Sequence, residues 1–311
     1  MQTIRSDVGD REDIEVLVVD NHPDGTAKPA VENTAVTGLR NLRYLPEKRP
    51  GLHHARHTGA LAARSELIAY LDDDVLVVPG WVNGVLRGFR ESPTAGCVGG
   101  KVLPQWETDV PEWVPRFHSG YLSLLDLGER RLVLKFPECV YGCNMAVRRQ
   151  ALLAVGGFNP DAFGDPTLVW RRGDGETGLH EKLFLAGYDV VYEPTAVVRH
   201  RIPAARLTIA YFKRRAFIQG ISDSYTRIRN QPSRLKLVDT IVTSAMSLAR
   251  ATLRTLKRPR EDRVEARVQT AYWQGYWGHQ LRALLSPALF RHVTRRTYLP
   301  APAGTLTPPQ R

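Results

Sequence analysis

The chain has 311 residues, 43 % hydrophobic and 24 % charged, enough to bury a substantial core and unlike a disordered or fibrous composition. Its formal charge of +11 is unevenly spread: residues 203–311 carry 20 Lys and Arg against 5 Asp and Glu, so residues 1–202 are slightly acidic. Three cysteines, odd in number, argue against a disulfide framework, and Cys139 with Cys143 makes a poor zinc signal.

The first residues are too polar for a signal peptide, and the most apolar later window, 237–249, falls short of the roughly 20 residues a membrane span requires. A cytoplasmic protein is expected. Ile14 to Val19 form a short β-branched run that reads as a buried parallel strand and stops at the turn formers Asp20-Asn21-His22-Pro23-Asp24-Gly25. Gly51 precedes a small-residue helix with Leu52, Ala55, Gly59 and Ala62 at helical spacing. Leu67 to Leu71 read as a second buried strand, ending abruptly in Asp72, Asp73 and Asp74. Pro79-Gly80-Trp81 opens another helix. Leu179, Leu183 and Ala186 make a helical stripe closed by Gly187, and strand-like Asp189 to Tyr192 follow. This alternation predicts an α/β sheet with ligands at the carboxyl ends of its strands.

From Pro203 the pattern is helical. One stripe holds Leu207, Tyr211, Phe217, Ile218 and Ile221; a second holds Leu235, Val238, Ile241, Val242 and Ala245; a third segment carries Trp273, Tyr276, Trp277, Leu281 and Leu285. The organisation expected is an α/β region over 1–202, a basic helical region over 203–298 and a Pro-rich disordered tail over 299–311.

Three adjacent carboxylates at a strand end repel one another unless a cation or solvent screens them. A hard divalent ion, Mg²⁺ or Mn²⁺, takes one or two carboxylates plus substrate phosphates. A solvated acidic turn is the plain alternative, and the preceding apolar strand favours the metal. Asp20 also ends a strand, where it serves equally as a turn residue. His53, His54 and His57 lie close together, and a structural place in the helix is favoured over a metal site.

Five segments in order carry a resemblance: Glu15-Val16-Leu17-Val18-Val19-Asp20-Asn21; Gly51-Leu52-His53-His54-Ala55-Arg56; Ile68-Ala69-Tyr70-Leu71-Asp72-Asp73-Asp74; Gly142-Cys143-Asn144-Met145-Ala146-Val147; and Gly175-Glu176-Thr177-Gly178-Leu179 with Ala186-Gly187-Tyr188. Together, over roughly residues 14–220, they resemble the family 2 glycosyltransferases of the GT-A fold. The resemblance implies a mixed, mainly parallel sheet flanked by helices, with the helical C-terminal region appended. It also implies inverting transfer of a sugar from a nucleoside-diphosphate donor of the UDP or GDP type to an acceptor hydroxyl, on a glycan or a lipid-linked molecule. Asp20 would read the nucleobase, Asp72 would lie near the ribose, and Arg56, Asp73 and Asn144 would help bind the donor. Asp74 would hold Mn²⁺ or Mg²⁺ across the two phosphates, and His200 matches a histidine that some relatives use as a further ligand. Glu176 would be the general base, taking the acceptor's proton opposite the leaving group; its alternative is a helix-dipole partner. Glu176 matches the second acid of the family's usual Glu-Asp pair, and the first is replaced by Gly175, for which Asp174 could compensate.

One departure concerns the start. The family's opening strand, central in the sheet between the strands of Asp20 and Asp72, has no counterpart here, and residues 1–13 read as the end of the helix that follows it. An upstream start, another segment filling the gap and a damaged copy all remain open. The basic tail suggests peripheral membrane contact through an amphipathic surface with Trp273 and Trp277, or helices simply packed on the α/β region. Lys213, Arg214 and Arg215 could grip acceptor or diphosphate. A nucleic-acid binder and a nucleotidyltransferase are competing readings; no nucleic-acid motif supports the first, and neither accounts for the Asn144 and Glu176 segments.

Overall fold

The computed structural model describes residues 2–9, 11–36, 38–39, 41–117, 119–259 and 263–299; the tail expected at 299–311 lies outside them apart from Leu299. Helix α1 (Gln2–Val8) precedes β1 (Val16–Asp20), α2 (Lys28–Val36), β2 (Leu42–Pro46), α3 (Leu52–Ala62), β3 (Leu67–Leu71) and β4 (Val75–Val77). Then come α4 (Trp81–Glu91), the 12-residue β5 (Ala95–Trp106), β6 (Leu132–Leu134), β7 (Asn144–Arg148), α5 (Arg149–Ala154), α6 (Gly175–Leu185) and the 14-residue β8 (Asp189–Ile202). Four helices follow: α7 (Ile209–Asn230), α8 (Arg234–Lys257), α9 (Arg263–Leu285) and α10 (Pro287–Thr294).

Two sheets result. β1 and β2 pair in parallel, and a six-stranded sheet runs β3-β7-β5-β8-β4 with β6 also on β8. The sheet is mixed, as expected, but less parallel than the strand–helix alternation implied: only β5–β8 is parallel in the larger sheet, because β3, β4, β6 and β7 all run antiparallel to their neighbours. Among the described strands, none bonds the second side of β1 or of β3.

β8 organises the larger sheet. Its first half pairs β6 through Val190, Val191 and Tyr192, its second half pairs β4 through Val198, Arg199 and His200, and β5 runs along its other side. The β5–β8 register slips between Gly100 and Val102, where the two strands part and rejoin. The core lies on both faces: Phe158, Leu179 and Leu183 with Met145 and Val147 on one, Trp81, Val85 and Phe89 with Val98 and Val198 on the other. Trp81 opens α4, whose first N–H groups find a side-chain partner far away in sequence. Asp7 accepts from the amides of Gly80 and Val82, tying α1 to the N-terminal end of α4.

The helices after β8 share a core with the sheet region, since Ile202, Val114 and Leu122 pack with Phe212, Ala216, Val268 and Ala271. α7 and α9 approach until backbones touch. A methyl group on Gly220 would sit 2.1 Å from the Tyr272 carbonyl oxygen, and one on Gly275 2.0 Å from that of Phe217. Alanine favours an isolated helix by up to about 1 kcal/mol over glycine, but here the neighbour is rigid backbone. Gly220→Ala is therefore expected to lower stability by about 2 kcal/mol, read from a denaturant or thermal melt.

Candidate functional site

The loop between β3 and β4 carries Asp72, Asp73 and Asp74 from one edge of the six-stranded sheet to the other. The apolar strand delivers the first acid; the β4–β8 pairing, with Val75 opposite His200, delivers the last. Asp72 is half-buried and Asp73 exposed.

Beside Asp72 lies Arg56, from the buried face of α3. Its guanidinium is 3.7 Å from the Asp72 carboxylate and 3.4 Å from that of Glu176, in the first turn of α6. Phe158 packs under it, ring centroid 5.1 Å away. Gly142 leaves the room: a Cβ there would stand 2.2 Å from Arg56 Nη2. Burial opposes the charge of Arg56, and Glu176, Asp72 and Asp161 outweigh it, so its pKa lies above the ordinary value. The two acids diverge. Burial pushes Glu176 up, but Arg56 and the amides at the helix start overcome it and hold the carboxyl below its usual range. Burial also pushes Asp72 up, and there Arg56 fails to offset it while Glu176 and Asp74 push the same way.

A second cluster surrounds Asp74. Its Oδ2 is 3.3 Å from His200 Nε2 and 2.5 Å from Arg206 Nη2, while its buried Oδ1 has no partner. His200 sits in β8, 3 % exposed, with Nδ1 2.8 Å from the Leu122 carbonyl oxygen. That carbonyl can only accept, so it draws the proton to Nδ1 and leaves the Nε2 lone pair facing Asp74 and Arg206, whose Nη1 lies 2.6 Å away. Burial raises the Asp74 carboxyl, but with the Nε2 lone pair of His200 towards it the Arg206 guanidinium is the cation that holds it below its ordinary value.

Three expected site residues are engaged differently. Asp20 is 6 % exposed and its oxygens are occupied by the amides of His22 and Ala27 and the Tyr44 hydroxyl. Burial opposes its ionisation and these donors outweigh it, keeping the carboxyl low; in this conformation Asp20 organises its own loop. Asn144, expected to help bind the donor, is instead an interior clamp at 1 % exposure. Its amide donates to the carbonyls of Lys101 and Ala196, which lie where the β5–β8 ladder is interrupted, and its oxygen accepts from the Trp81 indole. Asp174, offered for the missing first acid of the pair, is engaged elsewhere. It turns to α7, binding Asn159, Thr226 and Arg229.

The histidines of α3 are structural. His57 Nε2 accepts the Phe158 amide, His53 Nδ1 faces that of Asp161, and burial lowers their pKa values to about 3 and about 4. The Cys139 thiol is pushed up to about 11 by burial, which leaves it inert. Of the basic triplet in α7, Lys213 and Arg214 are exposed, whereas Arg215 turns inward with its Nε buried and unpartnered. Sequence reasoning missed Arg206 and Asp161, and it noted Gly156-Gly157-Phe158 as part of the resemblance without giving Phe158 a role. Only the six-residue spacing of Arg206 from His200 hinted at contact, and the turn at Ala204–Arg206 is what closes it.

The architecture is α/β of the GT-A glycosyltransferase type. A mannosyltransferase from Pyrobaculum calidifontis, in complex with GDP-Man and Mn²⁺, superimposes with a TM-score of 0.54 at 21 % identity over 89 % of this chain and 84 % of its own. Residues 2–156 match the model of glycosyl transferase family 2, and the chain belongs to that family. It is 28 % identical over 184 residues to a glucosyl-dolichyl phosphate glucuronosyltransferase of Haloferax volcanii, covering 57 % of this chain and 56 % of the relative. It is 33 % identical over 196 residues to the pre-mycofactocin glycosyltransferase of Mycobacterium tuberculosis, covering 60 % and 37 %. The matches thus span roughly a third to a half of these relatives' own lengths.

Replacing Asn144 by Ala strands two buried carbonyls and the Trp81 N–H, so Asn144→Ala should cost about 3 kcal/mol of stability in a denaturant melt. A stability unchanged within experimental error would remove the clamp role.

Proposed function

We propose that this chain transfers a sugar, with inversion, from a nucleoside-diphosphate donor to an acceptor hydroxyl at the site bounded by Asp72, Asp74, Arg56, Glu176 and His200. The observation that carries the reading is the pair of charge clusters at the end of β3. One presents an ionised carboxylate, Glu176; the other presents a carboxylate and a histidine lone pair that meet at the Arg206 guanidinium.

Glu176 suits the base. Beside Arg56 it is held below its usual range, which keeps it unprotonated while weakening it as a base, so its place at the start of α6 beside Arg56 and Asp72 carries the assignment. The acceptor O–H proton passes to its carboxylate as the acceptor oxygen bonds the anomeric carbon. The bond from that carbon to the diphosphate oxygen breaks, and the electron pair leaves with the diphosphate. Arg56 and the inward Arg215 are placed to meet negative charge on the donor, with Asp72 near its ribose and Asp73 at the exposed tip of the loop. The Asp20 loop would border the nucleobase.

A divalent cation fits Asp74 and His200. The buried, unpartnered Asp74 Oδ1 and the His200 Nε2 lone pair, which Arg206 meets here, are two suitable donors, and no group of three His, Cys, Asp or Glu that could hold a metal occurs among the described residues. Two protein ligands leave positions for diphosphate oxygens, the pattern hard Mg²⁺ and Mn²⁺ accept. When bound, the ion would neutralise charge building on the leaving diphosphate. The Pyrobaculum neighbour's GDP-Man and Mn²⁺ support this donor class, and the Haloferax relative's name supports a lipid-linked acceptor.

Calorimetric titration with UDP and GDP, with and without Mn²⁺, tests the donor site. Metal-dependent binding is expected, and Asp74→Ala should abolish it. Glu176→Gln should keep that binding while slowing release of nucleoside diphosphate from the sugar donor by about 10²–10⁴-fold; an undiminished rate refutes the base. Arg206 sits on both metal donors, so Arg206→Gln should tighten Mn²⁺ binding to the nucleotide-free protein, measured by the loss of the free Mn²⁺ paramagnetic signal. Unchanged or weaker binding would show that the guanidinium does not compete with the ion.

A further inference from the structure

The apolar stripe that the sequence marks on α8 faces outward. Leu235 is 83 % exposed, Val242 55 %, Leu253 53 % and Leu256 69 %, with Val238 and Met246 between them on the same side. These positions recur at intervals of three, four and seven residues, so they form one line along the helix. The inward seam is a different and narrower one. Leu237, Ser244 and Ala251, seven residues apart, are its buried members; Ser244 Oγ bonds Gln280 of α9 and Thr255 meets Thr270 of α9. Packing on α9 therefore leaves the more hydrophobic face of a 24-residue helix in water.

Charge decides what covers it. Lys236, Arg250, Arg254 and Lys257 are exposed on α8, and none forms an ion pair with a described residue; Asp239 is the helix's one acid. No Asp or Glu occurs from 240 to 259. An outward apolar line flanked by unpaired cations is the pattern of a helix lying in a bilayer interface, with its Leu and Val side chains among acyl groups and its Lys and Arg at anionic headgroups. A second copy of this chain would set the same cations against each other, an arrangement the charge disfavours. Spanning is ruled out for α8: no helix of the described residues is long and apolar enough to cross a membrane. Trp273 and Trp277, which the sequence offered for this task, lie half-buried in α9, Trp273 against Tyr272 and Tyr276 of its own helix.

We infer that α8 docks on an anionic lipid surface through Leu235, Val238, Val242, Met246, Leu253 and Leu256, with Lys236, Arg250, Arg254 and Lys257 at the headgroups. The inference is independent of the catalytic reading, since it uses no residue of that site.

Flotation of the full chain with phosphatidylcholine vesicles and with mixed phosphatidylcholine–phosphatidylglycerol vesicles tests it. Binding to the mixed vesicles, little binding to the neutral ones and release by salt are expected. The double variant Val242→Asp/Leu253→Asp, on exposed positions, should keep the thermal melt and lose binding by at least about tenfold. The variant Arg250→Gln/Arg254→Gln/Lys257→Gln should lose the preference for the anionic vesicles. Three results would each overturn the inference: no binding to either vesicle, binding that survives Val242→Asp/Leu253→Asp, and a solution dimer that the same variant splits into monomers.

Discussion

Arg56 is a buried cation, and the site is arranged around the need to keep it charged. Removing a guanidinium from water is costly unless carboxylates and a shaped space receive it. Here Asp72 comes from the end of β3, Glu176 from the start of α6, the ring of Phe158 from below, and Gly142 supplies the vacancy that the guanidinium fills. Four segments distant from it in sequence thus meet at one side chain. Because both acids lean on the same cation, their titrations separate: Glu176 is held ionised and Asp72 is pushed towards its neutral form.

The second cluster obeys a similar rule with a different occupant. Asp74 and His200 are brought together by the β4–β8 ladder, and the Leu122 carbonyl fixes which imidazole nitrogen faces the carboxylate. Arg206 lies across both and supplies positive charge at that point. The interruption of the β5–β8 ladder beneath this region would leave carbonyls without partners; Asn144 satisfies two of them and anchors Trp81 of α4. An interior polar network of this kind rigidifies the floor under the acidic loop.

The helical region divides its surfaces in the same economical way. α9 is the shared partner, meeting α7 at Gly220 and Gly275 and meeting α8 along a small-residue seam. Close backbone contact needs small side chains, so the seam of α8 is built from Leu237, Ser244 and Ala251. Its larger apolar residues are left on the outside, where hydrophobicity alone would not have put them.

The sequence by itself determined the family, the strands of Asp20 and Asp72 with the acids at their ends, and the start of β8; α2, β2, α5 and the strands β4 to β7 were not read from it. β3 and the acids after it were legible because a five-residue apolar run ends abruptly in charge, and α6 because its stripe stops at Gly187. Glu176, Arg56, Asp74 and His200 were all named from motif positions, and the structure brings them into two adjoining clusters. Tertiary structure alone decided the rest. The partners of Asn144 lie 43, 52 and 63 residues away and those of Asp174 in α7 52 and 55 away, distances over which a local pattern carries no information. The direction of α8 was illegible for another reason: helical periodicity shows that an apolar stripe exists, but which face turns inward depends on the shape of the neighbour it meets.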